Sequence, residues 1–273
     1  MNNFSTRTLT ALFFVIAMVG SAVLGQTVFS CLLLIIAILG MHEFITLISN
    51  ENIQPAKWPT LIAGVVVYTI FAAHEMGLIA VTGLFVIFPV VCLLFILELW
   101  RNKAHPFINI AISVTTVIYI AIPLGLMMYF FDSVVLSGPF HYGIVLGFLF
   151  ILWANDTGAY LVGSVIGKHK LFERISPGKT WEGSIGGAVF ALLLAWGLAF
   201  IFKQLGSSQW MILSVIIVIS GSLGDLVESM LKRSLAIKDS GNIFPGHGGI
   251  LDRFDAVLLS VPFVFVYLTL FCR

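Results

Sequence analysis

The chain has 273 residues, of which 59% are hydrophobic and 10% are charged, and its formal net charge is +1 at pH 7. Soluble domains carry about 25% charged residues, so this composition excludes a soluble fold. The near-neutral net charge indicates no particular partner, and no nucleic-acid partner is predicted. No shift in composition separates a soluble module. The sequence therefore predicts a single membrane domain over residues 1–273.

Apolar runs recur along the whole chain, and each is close to the 20 or so residues that a helix needs to cross a bilayer. They predict an all-α, polytopic membrane bundle of about nine helices. Residues 1–140 form spans without an assigned role, and residues 141–273 carry the candidate motifs. The predicted spans are 8–24, 28–49, 60–75, 77–99, 106–131, 142–167, 183–202, 209–231 and 255–272.

The basic residues are distributed asymmetrically. With nine spans, twelve of the fourteen Lys and Arg residues fall on the face that holds the N-terminus, and only Lys203 and Arg273 fall on the other. Positively charged loops stay in the cytoplasm. The sequence therefore predicts a cytoplasmic N-terminus and a C-terminus outside the cytoplasm.

Ionisable residues inside spans are costly and are candidates for function. In the sixth span, Asp156, Tyr160, Gly163 and Gly167 share one helical face; glycines of this kind also serve close helix packing. In the eighth span, Asp225, Glu228 and Lys232 share a stripe. Glu228 and Lys232 have the spacing of an ordinary i,i+4 ion pair, so Asp225 is the better functional candidate.

The eighth loop combines basic residues, glycines and acids. Lysines, arginines and glycine N–H groups can bind phosphate oxygens, and carboxylates at a helix start can hold Mg²⁺, although such acids also serve as helix caps. The combination predicts a nucleotide or pyrophosphate site. Its members are Lys232, Arg233, Lys238, Asp239, His247, Gly248, Gly249, Asp252, Arg253 and Asp255.

The sixth loop contains Ser176-Pro177-Gly178-Lys179-Thr180. This run lacks the upstream glycine of a P-loop, and no strand is expected in a helical membrane protein, so a P-loop is excluded. A loop that binds phosphate or a lipid headgroup remains an alternative to plain cytoplasmic charge. Three cysteines, Cys31, Cys92 and Cys272, have no paired spacing and are predicted to be small buried hydrophobes.

Three segments resemble the motifs of phosphatidate cytidylyltransferases, also called CDP-diacylglycerol synthases. The resemblance is complete over 27 positions from Ser229 to Asp255, and it extends to Asp156–Tyr160 and Ser176–Gly183. It covers roughly the C-terminal half and implies that CTP and phosphatidate give CDP-diacylglycerol and pyrophosphate, with Mg²⁺ as cofactor. A homodimer is a further expectation from the family, as is a place in the bacterial inner membrane with the active site facing the cytoplasm.

The resemblance and the residue inventory together suggest three groups of site residues. Asp225, Asp252 and Asp255 are the predicted metal ligands. The predicted catalytic and phosphate-contacting residues are Lys238, Asp239, His247, Asp252 and Arg253. The predicted substrate-binding residues are Asp156, Ser176, Lys179, Lys232, Arg233, Gly248 and Gly249.

Two other functions use similar residues. A membrane enzyme that transfers a phosphosugar or an alcohol to a lipid phosphate would also need acids and Mg²⁺. An ion-coupled transporter could use His42-Glu43 and His74-Glu75 as a proton path, but transporters place polar groups near the midplane between repeats. Here the polar groups gather at one face and no repeat is evident. The sequence assigns no role to these four residues or to Glu98.

Overall fold

The computed structural model describes residues 3–131, 142–241 and 248–272 of the chain. Within these ranges the chain forms nine helical segments, labelled α1 to α9, and one short hairpin. The helices are α1 Asn3–Leu24, α2 Gln26–Ile48, α3 Lys57–Glu75, α4 Val81–Leu99, α5 Pro106–Phe131, α6 Gly143–Ile166, α7 Trp181–Ile201, α8 Ser207–Ser234 and α9 Leu251–Phe271.

The nine helical segments confirm the nine predicted spans. Seven of them, α2 and α4 to α9, are long and apolar enough to cross a membrane. Large apolar side chains such as Phe13, Leu93 and Leu193 lie exposed on the outer faces of the helices, as expected where lipid takes the place of water. The orientation of the bundle in the membrane stays a prediction.

The predicted boundary between the third and fourth spans lies at a glycine. Gly77 has a φ of +69°, a left-handed conformation that favours glycine. Beside it the N–H of Leu78 donates to the carbonyl of Ala73 at 2.8 Å, the pattern of a Schellman C-cap. The chain therefore ends α3 at Glu75 and starts α4 after a short turn.

The chain forms two compact units: residues 1–129 with 237–254, and residues 130–236 with 255–273. In the first unit the core includes Phe29, Leu33, Met41 and Tyr68, all fully buried. The Tyr68 hydroxyl on α3 donates to the carbonyl of Ser30 on α2 at 2.8 Å. This bond gives a buried phenol a partner inside an apolar core.

In the second unit, α6 and α7 approach each other through residues with little or no side chain. A Cβ placed on Gly187 would lie 2.5 Å from the Asn155 carbonyl oxygen, and one on Gly183 would lie 2.9 Å from the carbonyl oxygen of Ala159. Such small-residue seams let membrane helices pack closely. Gly163 of the sixth span belongs to the same seam, since a Cβ there would lie 3.4 Å from Gly183 Cα, so this glycine does serve packing, as the alternative interpretation proposed.

The sixth loop is not a plain loop. Lys170–Phe172 (β1) and Ser176–Thr180 (β2) form a short antiparallel hairpin directly before α7. The expectation that this segment contains no strand was wrong. The pairing is local, because only a few residues separate the two strands, and a hairpin of this size depends on the helices beside it.

The prediction that the cysteines are buried holds for Cys272 but not for Cys31 and Cys92, which are exposed. All three are free thiols. Cys31 and Cys92 lie on membrane-spanning helices, where an outward-facing small hydrophobe contacts lipid, so hydrophobicity alone did not determine which side of the helix they occupy.

Candidate active site

A cavity of about 370 Å³ opens in the second unit between α6, the hairpin with the start of α7, and α8. From α6 it is lined by Asp156, Tyr160 and Gly163, which were predicted to share one face. From β2 comes Lys179, and from α8 comes Asp225. The volume is within the range of small-molecule sites. The structure therefore brings together three predicted site residues, Asp156, Lys179 and Asp225, from three separate segments.

Three carboxylates meet beside this cavity. Asp225 and Glu228 on α8 and Asp255 on α9 each offer an oxygen atom, and these atoms lie within 4.8 Å of one another. The two helices come close at Gly224, where a Cβ would lie 2.5 Å from the carbonyl oxygen of Asp255. The predicted metal ligands Asp225 and Asp255 are thus neighbours.

Glu228 is a member of this group that the sequence did not assign to the metal site. The predicted ion pair is present, because Lys232 Nζ lies 2.5 Å from Glu228 Oε2. The same carboxylate also faces Asp225 and Asp255. Helical spacing showed only the first relationship, since the second depends on the packing of α8 against α9.

Lys179 is held at the cavity by the hairpin. Its Nζ lies 2.5 Å from Asp225 Oδ2. The next residue, Thr180, caps α7 by accepting a hydrogen bond from the Gly183 N–H at 3.1 Å, and this cap fixes the direction in which β2 enters the helix. Arg233 at the end of α8 donates from Nε to the Ile175 carbonyl at 3.3 Å, which ties the hairpin to α8.

Several predicted substrate-binding residues have such structural contacts in the second unit. Arg233 holds the hairpin, and Lys232 pairs with Glu228. Ser176 begins β2 opposite Phe172 and is not among the residues that line the cavity. Their predicted roles in substrate binding stay predictions.

The remaining predicted residues lie in the segment 237–254 of the first unit. Asp252 Oδ2 accepts hydrogen bonds from the Ser240 N–H at 2.9 Å and the Gly249 N–H at 2.8 Å. The Ser240 hydroxyl lies 2.9 Å from the same oxygen and also contacts Glu43, so its single proton is shared between the two carboxyl groups. Gly248 has a φ of +80°, which bends the chain so that these donors face the carboxylate. Asp252 therefore holds the backbone of Ser240 and Gly249 against the start of α9.

Lys238 and Asp239 are exposed in the connection between α8 and α9, and Arg253 is exposed on the first turn of α9. Their positions leave them open to a phosphorylated ligand. Predicted residue His247 lies outside the described residues. The roles of these four residues stay predictions.

Glu43 of α2 is the residue that the sequence missed. It is buried, and it accepts hydrogen bonds from Ser240 Oγ, from the Ile250 N–H at 2.9 Å and from the Leu251 N–H at 3.1 Å. The only signal in the sequence was a carboxylate inside an apolar run. That signal identified a residue of interest but not its partners.

Fold and site together define a polytopic helical membrane protein with a cavity lined by acids and a lysine. Comparisons with known proteins agree. Residues 5–271 match the model of the cytidylyltransferase family. The chain is 35% identical to the phosphatidate cytidylyltransferase of Staphylococcus aureus (strain COL) over 268 residues, which cover 96% of this chain and 98% of that protein. For the same enzyme of Staphylococcus haemolyticus, the identity is 34% with the same coverage. The chain belongs to the cytidylyltransferase family.

Proposed function

We propose that this protein transfers a cytidylyl group from CTP to phosphatidate, giving CDP-diacylglycerol and pyrophosphate. The observation that carries the proposal is the meeting of Lys179 with Asp225 at a cavity beside two further carboxylates, Glu228 and Asp255. Cations and acids arranged in this way suit a phosphorylated ligand and its counter-ion. The names of the Staphylococcus relatives point to the same reaction.

Mg²⁺ is the proposed cofactor. The fit rests on the donor set, because Asp225, Glu228 and Asp255 offer only carboxylate oxygens, which are the ligands that a hard divalent cation prefers. Three carboxylates within 4.8 Å of one another also repel, and a bound cation relieves that repulsion. When bound, Mg²⁺ would neutralise phosphate charge and assist the departure of pyrophosphate.

The main task of the protein in this reaction is to position the phosphatidate phosphate and CTP. An oxygen of the phosphatidate phosphate attacks the α-phosphorus of CTP, and the bond between the α-phosphorus and the bridging oxygen to the β-phosphate breaks. The attacking phosphate is already an anion near pH 7, so no general base is needed. Lys179 binds phosphate oxygens at the cavity and offsets the repulsion between two polyanions.

Phosphatidate remains in the bilayer in this proposal while its headgroup reaches the cavity. Tyr160, which lines the cavity, is 74% exposed on a membrane-spanning helix, so the cavity borders the surface that faces lipid. CTP reaches the site from the cytoplasm, the face that the distribution of Lys and Arg predicts. A reporter enzyme that works only outside the cytoplasm should be active when it is fused to the C-terminus. Activity of a reporter that works only in the cytoplasm would contradict this orientation.

The proposed reaction is tested with the purified full-length protein in detergent. Pyrophosphate and a CDP-lipid should form from CTP only when both phosphatidate and Mg²⁺ are present. Replacing phosphatidate by diacylglycerol, which lacks the attacking phosphate, is the matched control and should give no product. Failure to form CDP-diacylglycerol with all components present would overturn the proposal.

A further inference from the structure

Glu43 lies on α2, far along the chain from the motif segment, yet all its described partners belong to that segment. The side chain is 6% exposed, and both of its oxygens accept hydrogen bonds from residues 240–251. Oε2 accepts from the Ile250 N–H, and Oε1 accepts from the Leu251 N–H and the Ser240 hydroxyl. A carboxyl group buried at such depth is costly unless it has hydrogen-bond partners, and these three donors supply them.

The backbone around Glu43 is shaped to fit the carboxylate. A Cβ on Gly249 would lie 2.1 Å from Glu43 Oε1, and a Cβ on Gly241 would lie 2.8 Å from Oε2. Both glycines belong to the motif that resembles cytidylyltransferases. The two glycines therefore leave space for the Glu43 carboxylate, in addition to any approach to phosphate that the sequence suggested.

Glu43 is connected to a predicted site residue through one side chain. The Ser240 hydroxyl contacts both Glu43 Oε1 and Asp252 Oδ2, and the N–H groups that Glu43 binds belong to the two residues directly before Asp252. The carboxylate of Asp252 thus takes its position from a frame that Glu43 holds at two places, Ser240 and the first turn of α9.

We propose that Glu43 is a positioning residue for the reaction, which holds Ser240 and the residues 250–252 so that Asp252 presents its carboxylate to metal or phosphate. This role rests on the proposed function and on the predicted role of Asp252. Residues that orient a metal ligand typically change metal affinity or activity by about 10- to 100-fold when they are replaced.

The first test variant is Glu43→Gln, which keeps the size of the side chain. An amide has a single acceptor oxygen and places an NH₂ group where the carboxylate accepts. The second variant is Ser240→Ala, which removes the bridge but leaves Glu43 with its two N–H donors. The matched control is Glu98→Gln, since Glu98 is 5% exposed in the same unit and binds Arg101 and Asn109.

Two measurements are made on each purified variant. Hydrogen exchange by mass spectrometry reports on peptides within 237–252, and turnover of CTP and phosphatidate at varied Mg²⁺ reports kcat and the half-saturating Mg²⁺ concentration. In Glu43→Gln, exchange of this segment should accelerate by about 10-fold or more, because hydrogen bonds to a charged group are lost. The half-saturating Mg²⁺ concentration should rise, or kcat fall, by about 10- to 100-fold.

Ser240→Ala should shift the Mg²⁺ dependence in the same direction, and it keeps the test valid if Glu43→Gln fails to fold. Glu98→Gln should change neither measurement beyond about twofold. Unchanged exchange in Glu43→Gln, or faster exchange with wild-type kcat and Mg²⁺ dependence, would overturn the positioning role. An inactive wild-type protein would instead remove the proposed function, and the positioning role with it.

Discussion

Within the part of the chain that the structure describes, two clusters of acidic side chains differ in what faces the carboxylates. In the second unit, Asp225 and Glu228 face each other and Asp255, and their oppositely charged partners are the flexible side chains of Lys179 and Lys232. In the first unit, the oxygens of Glu43 and Asp252 accept mainly from backbone N–H groups.

The difference indicates that Asp225, Glu228 and Asp255, the binding cluster, are suited to exchange their lysine partners for a ligand. In the support cluster, Glu43 and Asp252, the surrounding backbone fixes the side chains, and Glu43 supports Asp252 in its proposed contact with metal or phosphate. A lysine side chain can turn toward an incoming phosphate and leave its carboxylate to a cation. A backbone N–H cannot turn away unless the main chain itself moves. Carboxylates that face one another also gain most from a cation, since each repels the others. Two clusters with the same chemical groups thus suit different tasks.

The largest expected effects distinguish the two clusters, because a change in one should reduce turnover and a change in the other should reduce thermal stability. Asp225→Ala should reduce turnover by about 100-fold or more, while its thermal midpoint stays near the wild-type value, because one of three mutually repelling charges is removed. Asp252→Ala should lower the midpoint by several degrees, because the N–H groups of Ser240 and Gly249 lose their acceptor and each buried donor left unsatisfied costs about 1–3 kcal/mol. Thermal unfolding in detergent and CDP-lipid formation are measured together. An equal loss of stability in both variants would break the comparison.

A glycine substitution tests the support cluster directly. Gly249→Ala places a Cβ 2.1 Å from Glu43 Oε1 and 2.3 Å from Ser240 Oγ, so we expect a loss of about 1–3 kcal/mol in the free energy of unfolding. Gly197→Ala is the control, since open space surrounds a Cβ on that helical residue, and it should be neutral or slightly stabilising. Denaturant titration measures the unfolding midpoint of each variant. Equal midpoints would show that Glu43 and Ser240 do not require a glycine at position 249.

A change at Lys179, which pairs with Asp225 of the binding cluster, should have an effect of intermediate size. Lys179→Gln removes the cation beside Asp225, and we expect KM for CTP to rise by about 10-fold, the factor for a lost hydrogen bond to a charged group. Lys57→Gln, in the first unit, where the partly exposed Lys57 contacts Thr46 Oγ1, serves as the control with unchanged KM. Steady-state kinetics at saturating phosphatidate gives the values. A normal KM in Lys179→Gln would exclude a direct contact with the nucleotide.

The smallest effect is expected at the base of the hairpin. Glu182 accepts from the N–H groups of Lys168 and His169 and contacts His169 Nδ1 at 2.6 Å. These contacts are near the surface, where ion pairs contribute little. Glu182→Gln should therefore change kcat and KM by less than about twofold. A loss comparable to that of Lys179→Gln would show that the hairpin acts as part of the binding cluster.

The helices could be predicted from sequence because membrane spans have a local cause. A run such as α2 is apolar over most of its length, and this property alone makes it a span. Asp225 and Asp156 could be identified for the same reason, since each is an acid within such a run. The hairpin could not be identified, because Lys170–Thr180 is short and polar, and its pairing depends on the helices beside it.

The partners of the acids could not be predicted, because they depend on packing between distant segments. Glu228 has a partner four residues away, which the sequence showed, and another on α9, which it did not. Glu43 has no local partner that would distinguish a support residue from a proton path. Its donors lie 197 to 208 residues later in the chain, and one sequence contains no information on that pairing.

The long separation between Glu43 and its donors has a consequence during synthesis. The ribosome adds about 5–20 residues per second, so Ser240, Ile250 and Leu251 are made roughly 10 to 40 seconds after Glu43. Throughout this interval α2 carries its carboxylate without those three donors, and the first unit cannot complete its core. The α2 helix is therefore made long before the donors of Glu43, and this side chain is among the last in the first unit to reach its final hydrogen bonds.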